Sequence, residues 1–541
     1  MIATSRPRRP GVVTAAVFAI GILLAACGAQ SSKLGGPGAT PLDDRRGTTD
    51  GAARVGKAPP DAPDIVFITT DDQTYASLSV MAVVDKELAA KGTSFTNHYI
   101  AFPVCCPARA TWLSGLHSHN HGVRGNSPPL GGASKFDGAE TVAVWLQKAG
   151  YHTSFVGKYL NGYGLKGVAP TPPGWDAWQA TLDPGTYQPY NFEITTFGTG
   201  ADSSTVTYLE SPDNYQTDVL TRLALEQIDS AGDEPLFLNI NYRAPHSDSW
   251  ERAEASAPNG PQPAPRHRNK FGLLPDDPAT VFAESQEQYA DKPPFINEQP
   301  WAVQVFTDRR EIVQRMRYER ESLLAVDEGI QQILDALNAR GTLDDALIIF
   351  SSDNGTFHGE HGIYGGKYYP YEPAIHTPLI VRGPGFEPGV STALVSNVDI
   401  APTITTAAGI GTPVLSDGFP LQQSLADPTT ASSRALLLEG YPPSEKEGLY
   451  PGFVGVRTAG YKLTLWADGS SELYDLNTDP LELNNLTTSA GARSLRSRLV
   501  DLVSELRNCR ATSCVRYFDD SDVVLLPLDD SEPPRSSTAN G

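Results

Sequence analysis

The stretch most able to do chemistry is Cys105-Cys106-Pro107-Ala108-Arg109. Proline is tolerated in the first turn of a helix, and Gly115 suits a helix end. The pattern therefore predicts a short helix beginning at Cys105. A group at that position feels the positive end of the helix dipole. Arg109 lies one turn further on and can lean back toward it. A reactive side chain, a helix N-terminus and a fixed guanidinium together make a receptacle for a tetrahedral oxyanion. Residue types alone leave three readings open: a reactive thiol, a structural thiol pair, or a metal site. A disulfide between the two neighbours would be strained.

The elements that must position this helix read as α/β. Four apolar runs end in polar groups: residues 64–72 end in Asp71-Asp72, 151–158 in Lys158, 236–246 in His246, and 346–355 in Asp353-Asn354-Gly355. Such runs suit buried parallel strands. Helical patterns lie between them at 141–150 and 320–341, each stopped by glycine. The expectation is a large mixed, mostly parallel sheet with helices on both faces. Ligands bind such sheets beyond the carboxyl ends of the strands, where these polar groups gather. After residue 436 short alternating runs predict a smaller antiparallel sheet, followed by a helix near 491–508. Residues 165–230 and 247–310, rich in Pro, Gly and polar residues, read as long insertions over the site. Cys509 and Cys514 can close a short disulfide loop outside the cell.

The chain has 541 residues, five cysteines and a formal charge of −21. Five cysteines exclude a disulfide scaffold. The acidic balance argues against a nucleic-acid partner, though one basic pocket can still take a small anion. Arg6, Arg8 and Arg9 precede an uncharged run at 11–24 that ends in Leu24-Ala25-Ala26-Cys27. This reads as a signal peptide with a bacterial lipobox and Cys27 as the lipidated residue, rather than a membrane span. The domain reading is a leader at 1–26, a tether at 27–62, a catalytic domain at 63–435, a small C-terminal subdomain at 436–520 and a disordered tail at 521–541. The body would be exported and lipid-anchored on the outer side of the cytoplasmic membrane.

Cys105-Cys-Pro-Ala-Arg109, continued by Leu113-Ser114-Gly115, resembles the signature of the sulfatase family in the alkaline phosphatase superfamily. Ala108 replaces the usual serine and Ser114 the usual threonine. The resemblance extends to Asp71-Asp72, His119-Asn-His121-Gly122, Gly157-Lys158, Pro245-His246, Asp353-Asn354-Gly355, Gly359-Glu360-His361-Gly362, Lys367 with Tyr371-Glu372, and Glu472-Leu-Tyr-Asp475. The Cys-Cys form and Gly-Lys-Tyr-Leu-Asn are most similar to N-acetylglucosamine-6-sulfatase-type members.

The resemblance implies a sulfuric ester hydrolase acting on a sulfated sugar or a similar alcohol or aryl sulfate. Cys105 would be oxidised to formylglycine by a separate maturing enzyme. One hydroxyl of the hydrated aldehyde attacks sulfur, and the other then releases sulfate. Asp71, Asp72, Asp353 and Asn354, with residue 105, would hold a hard cation, Ca²⁺ rather than Mg²⁺. Arg109, Lys158 and Lys367 would surround the sulfate, and His246 would contact it or protonate the leaving alcohol. Glu372 would orient Lys367, and His361 would lie at or near the site. The family often carries Lys-x-His at the second strand end. Here Tyr159, Leu160 and Asn161 follow Lys158, so that histidine is absent and its role is left open to another group; the spacing does not single out Asn161. His117, His119 and His121 alternate as on one strand face, but they lack further zinc ligands nearby; His119 and His121 are expected to order the segment after the signature helix. A phosphodiesterase or phosphonate monoester hydrolase of the same superfamily, and a binding lipoprotein without activity, are the competing readings.

Overall fold

The computed structural model describes residues 57–523, apart from 168, 199–202, 249–259, 273–287, 298–308, 364, 412–415, 443–449 and 521–522. The expected leader, Cys27, most of the tether and nearly all of the tail lie outside the described residues. Among the described residues no helix is long and apolar enough to cross a membrane.

The strands are β1 (Ile65–Asp71), β2 (Thr93–Tyr99), β3 (His152–Gly157), β4 (Ala177–Thr181), β5 (Phe192–Phe197), β6 (Ser204–Tyr208), β7 (Leu236–Pro245), β8 (Leu347–Ser352), β9 (Leu379–Arg382) and β10 (Gly389–Ser396). They form one sheet in the order β10-β2-β9-β8-β1-β7-β3-β4-β5-β6. Its centre, β8-β1-β7-β3-β4, is parallel. Antiparallel pairings join β9 to both neighbours, and β5 to β4 and β6. The central strands are buried along their length and mainly apolar because both faces are covered. Along β1, Ile65 and Phe67 pack with Trp112, Trp145 and Leu146 on one face, whereas Val66 and Ile68 pack with Val219, Ile330 and Leu337 on the other. The covering helices are α1 (Cys105–Ser114) and α2 (Val142–Ala149) on the first face, and α3 (Gln216–Ser230) and α4 (Arg309–Arg340) on the second.

Two elements differ from the sequence expectation. Residues 165–230 are not simply an insertion: β4, β5 and β6 lengthen the sheet, and α3 covers it. Helix α4 starts eleven residues before the expected 320. The Arg315–Glu319 and Arg317–Glu321 pairs, at one-turn spacing, support this charged opening that apolar periodicity does not reveal.

The second sheet is antiparallel, ordered β14-β13-β12-β11-β15. Its strands are β11 (Arg434–Gly440), β12 (Phe453–Arg457), β13 (Tyr461–Trp466), β14 (Ser471–Asp475) and β15 (Arg516–Tyr517). Helix α5 (Arg493–Leu506) packs Leu495, Leu499 and Val503 against Leu437, Val456 and Leu463. A disulfide joins Cys509 to Cys514.

Candidate active site

Helix α1 starts at Cys105 and is buried along its whole length. Val104 before it is extended and offers no side-chain cap, so Asn126 Oδ1 comes from another loop to take the Cys106 N–H at 2.9 Å. The helix ends where Gly115 turns left-handed at φ 69°. Cys105 is thereby fixed at the carboxyl ends of the central strands, next to Asp71, whose Oδ1 lies 3.6 Å from Sγ.

Each strand end delivers one group. Asp71 ends β1, and Asp72 follows with a positive φ of 64° that turns the chain sharply. Asp353 and Asn354 follow β8. Asp353 Oδ1 accepts the Asp72 N–H at 3.2 Å, and Asn354 Nδ2 donates to Asp72 Oδ1 at 2.5 Å. Lys158 follows Gly157 at the end of β3 and pairs with Asp71. Gly157 is required there: its φ is 103°, and a Cβ would stand 2.1 Å from the Asn241 carbonyl oxygen. Lys367 pairs with Asp72, and its Nζ reaches Cys105 Sγ at 2.9 Å. His246 follows β7 and faces Asp72 Oδ2 at 3.6 Å.

Arg109 is 1% exposed. Its Nε donates to Asp353 at 2.8 Å, and Nη1 donates to the Lys158 carbonyl at 2.8 Å and to Asn241 Oδ1 at 3.3 Å. Nη2 approaches Asp71 at 3.5 Å. The guanidinium thus braces three strand ends rather than leaning on Cys105. Its planar fork holds several acceptors in fixed directions, which the single freely turning ammonium of a lysine does not.

Charge balance sets the protonation states. Burial would raise the Asp71 carboxyl, but Lys158, Arg109 and Lys367 together hold it well below the usual carboxylate range. Burial, then the Asp71 charge, pushes the Asp353 carboxyl up to about 6 against the pull of Arg109. Burial and Asp71 push the Cys105 thiol up to about 12, so an unmodified thiol here is protonated at neutral pH. Lys158 and Lys367 stay charged despite burial because Asp71 and Asp72 face them. Burial lowers His246 to about 4 although Asp72 and Asp71 oppose it, leaving the ring neutral.

The donors fit a hard cation. Ligand atoms of Asp71, Asp72, Cys105 and His246 lie within 4.8 Å of one another. His246 Nδ1 lies 2.6 Å from the Ser247 carbonyl, which can only accept, so Nδ1 carries the proton. Nε2 of the neutral ring is then an acceptor facing another acceptor, Asp72 Oδ2. Asn354 Oδ1 is buried with no hydrogen-bond partner among the described residues. Lone pairs turned toward each other in this way suit an intervening cation. The carboxylate oxygens of Asp71 and Asp72 and the amide oxygen of Asn354 suit Ca²⁺ or Mg²⁺, with His246 beside them rather than among the ligands.

Several groups lie elsewhere or were not foreseen. Glu372 does not touch Lys367; it pairs with Arg457 at 3.1 Å and Lys462 at 3.6 Å. His361 is buried against Tyr371, with ring centroids 4.2 Å apart. The segment after α1 is not a strand: Ser118–His121 is a helical turn. His117 comes close to the Cys509 and Cys514 sulfurs. Those sulfurs are bonded to each other and offer no thiolate to a metal. His119 Nδ1 instead meets Glu439 at 3.0 Å, and its Nε2 and Asn120 Nδ2 both hold the Cys509 carbonyl at 2.9 Å. Asn241 is a site residue missed by sequence reasoning. Its Oδ1 accepts from Arg109 and from Thr69 Oγ1 at 2.7 Å. The polar Asn239-Ile240-Asn241 inside an apolar strand was the available signal. Tyr187, against Lys158, was also missed, because nothing local marks it.

The family profile described as sulfatase matches residues 63–410, and one described as N-sulphoglucosamine sulphohydrolase, C-terminal, matches residues 359–509. The chain is similar to an arylsulfatase of Volvox carteri, 30% identical over 516 residues, covering 86% of this chain and 77% of the relative. It is 27% identical over 511 residues to an N-acetylglucosamine-6-sulfatase of Capra hircus, covering 84% of this chain and 86% of the relative. A solved structure of a protein in complex with its substrate D-glucosamine-2-N,6-O-disulfate superposes with a TM-score of 0.66 at 25% identity, over 82% of this chain and 97% of that one.

Proposed function

The chain belongs to the sulfatase family and is a sulfuric ester hydrolase; we propose that it removes sulfate from a sulfated amino sugar of the glucosamine 6-sulfate type, through a formylglycine made from Cys105 beside a bound Ca²⁺. The observation that carries this reading is the convergence of Asp71, Asp72, residue 105 and His246 within 4.8 Å, flanked by Lys158 and Lys367. The sugar class rests on the similarity to N-acetylglucosamine-6-sulfatases and to the glucosamine-disulfate complex.

Formylglycine, as its hydrate, supplies one hydroxyl for attack on sulfur and a second whose deprotonation expels sulfate. Asp71, Asp72, Asp353 and Asn354 would hold the cation, which supplies Lewis-acid polarisation of a sulfate oxygen. Lys367, 2.9 Å from the residue 105 side chain, and Lys158 set positive charge against the non-bridging oxygens, where charge builds in the transition state. Arg109 holds the strand ends that carry them. His246, neutral at rest and facing the cluster, would take up at Nε2 the proton that the attacking hydroxyl gives up and hand it to the departing alcohol oxygen. The basic and then apolar leader, ending in Cys27, supports export and lipid anchoring, and the maturing enzyme is a required partner.

Peptide mapping of the natively matured protein, with paired assays on an aryl sulfate, glucosamine 6-sulfate and a phosphodiester, tests this reading. The expected result is a mass loss at residue 105 and a kcat/KM preference for sulfate esters. An unmodified thiol, or a preference for the phosphodiester, would overturn it.

A further inference from the structure

The flank of Lys158 has no histidine. The residue two places on is Leu160, which is buried in the core, and Tyr159 between them packs against Phe155 and Trp178. A different element covers this flank. The turn Gly185–Tyr187 carries Tyr187 over the site, with its ring centroid 4.7 Å from Lys158 Nζ and 4.9 Å from the His246 ring. The Tyr187 hydroxyl accepts a hydrogen bond from Asn161 Nδ2 at 2.7 Å. The turn itself is held by Gln216 Nε2, which donates to the Thr186 carbonyl at 3.1 Å and the Gln188 carbonyl at 2.9 Å.

We propose that Tyr187, locked by Asn161, is a positioning residue of the sulfatase reaction: one ring fixes both the Lys158 ammonium and the His246 imidazole. This deepens the function proposed above and rests on it. The physical reason for an aromatic group is charge. A lysine on a four-carbon stem needs a second restraint beyond Asp71 to stay aimed at one oxygen. A carboxylate could supply that restraint but would repel an incoming sulfate. The face of a phenol ring attracts the ammonium through its quadrupole, adds no net charge and takes none of the N–H donors away from the substrate. The same ring packs against His246 and limits the swing of the group that must meet the leaving oxygen. A shift of about 1 Å in such a group is enough to slow turnover by roughly 10²-fold.

The test compares Tyr187→Leu, Tyr187→Phe and Asn161→Ala in the full matured chain, with wild type as reference. Formylglycine content is measured by peptide mass and fold by circular dichroism. Tyr187→Leu should lower kcat by roughly 10- to 100-fold with a smaller change in KM, and should shift the pH profile of kcat/KM. Tyr187→Phe keeps the ring over Lys158 but loses the Asn161 hydrogen bond, and should recover part of the loss, lying between wild type and the Leu variant in kcat and in pH profile. If the Leu variant does not fold, Asn161→Ala, which frees the ring without deleting it, should show the same partial loss of kcat as Tyr187→Phe, and wild-type kcat in both would overturn the assignment. Inorganic sulfate, titrated calorimetrically, should bind the Leu variant about tenfold more weakly. A Leu variant within threefold of wild type, or a Phe variant no better than Leu, overturns the assignment. A matured wild type inert toward every sulfate ester overturns the hydrolase reading, and Tyr187 is then judged on sulfate affinity alone. A wild type that neither turns over nor binds sulfate overturns both.

Discussion

Gly157→Ala tests how tightly the sheet aims Lys158. Two separate costs are predicted. The first is backbone: at φ 103° an alanine sits in the left-handed half of the map, costing about 1–2 kcal/mol. The second is overlap. The new Cβ would be 2.1 Å from the Asn241 oxygen and 2.9 Å from its carbonyl carbon, and neither belongs to a flexible side-chain end. Strands β3 and β7 are paired here, and the Lys158 N–H donates to the same Asn241 oxygen at 3.0 Å. Relief of the overlap must open this pairing by about 1 Å and lose a hydrogen bond worth about 1 kcal/mol. The sum is about 2–3 kcal/mol of stability before any other strain. The same movement carries Lys158 away from Asp71, so kcat should fall by roughly 10²-fold. Gly150→Ala is the control. Its φ is 100°, but nothing lies within 4 Å of where its Cβ would stand, so it bears the backbone cost alone. Denaturant unfolding and steady-state turnover of both variants separate the two costs. Equal destabilisation of the two, or a Gly157→Ala enzyme within threefold of wild-type kcat, would refute the reasoning.

Prolonged chelation should abolish turnover, and Ca²⁺ should restore it; Asn354→Ala should raise the Ca²⁺ concentration needed for half-recovery, and chelator-resistant turnover would exclude the cation. Burial works against charge on His119, but Glu439 outweighs it and holds the ring above its ordinary value. Protonated His119 therefore stabilises the fold fully below the unfolded value of about 6.5, and the contribution fades as pH rises through the raised folded value. Glu439→Gln should lower the thermal midpoint more at about pH 6 than at about pH 8.5; an equal drop at both would contradict the pairing. Cys509→Ser with Cys514→Ser should cost about 2 kcal/mol, the loop-closure value for so short a ring, read from denaturant midpoints against wild type.

The central strands were legible in the sequence because burial on both faces leaves continuous apolar runs, and their polar ends announced Asp71, Lys158, His246 and Asp353. Helix α1 was legible from Pro107 and Gly115. Three features were not. The strands β4 to β6 were hidden because Pro172, Pro173 and Gly174 dominate the composition just before them, and β6 carries no buried face to give it a pattern. The partner of Glu372 was hidden because Arg457 and Lys462 lie far along the chain and only sheet packing unites them. Tyr187 reaches Lys158 from a turn 29 positions later, and a solitary tyrosine in a polar segment carries no local mark of its neighbours.

The grip of His119 and Asn120 on the Cys509 carbonyl, together with Glu439, makes the segment around Cys509 a backstop for the turn that follows the helix bearing Cys105. Swapping the small sheet between relatives, or trimming before residue 509, would therefore detune catalysis from a distance unless these contacts travelled with the graft.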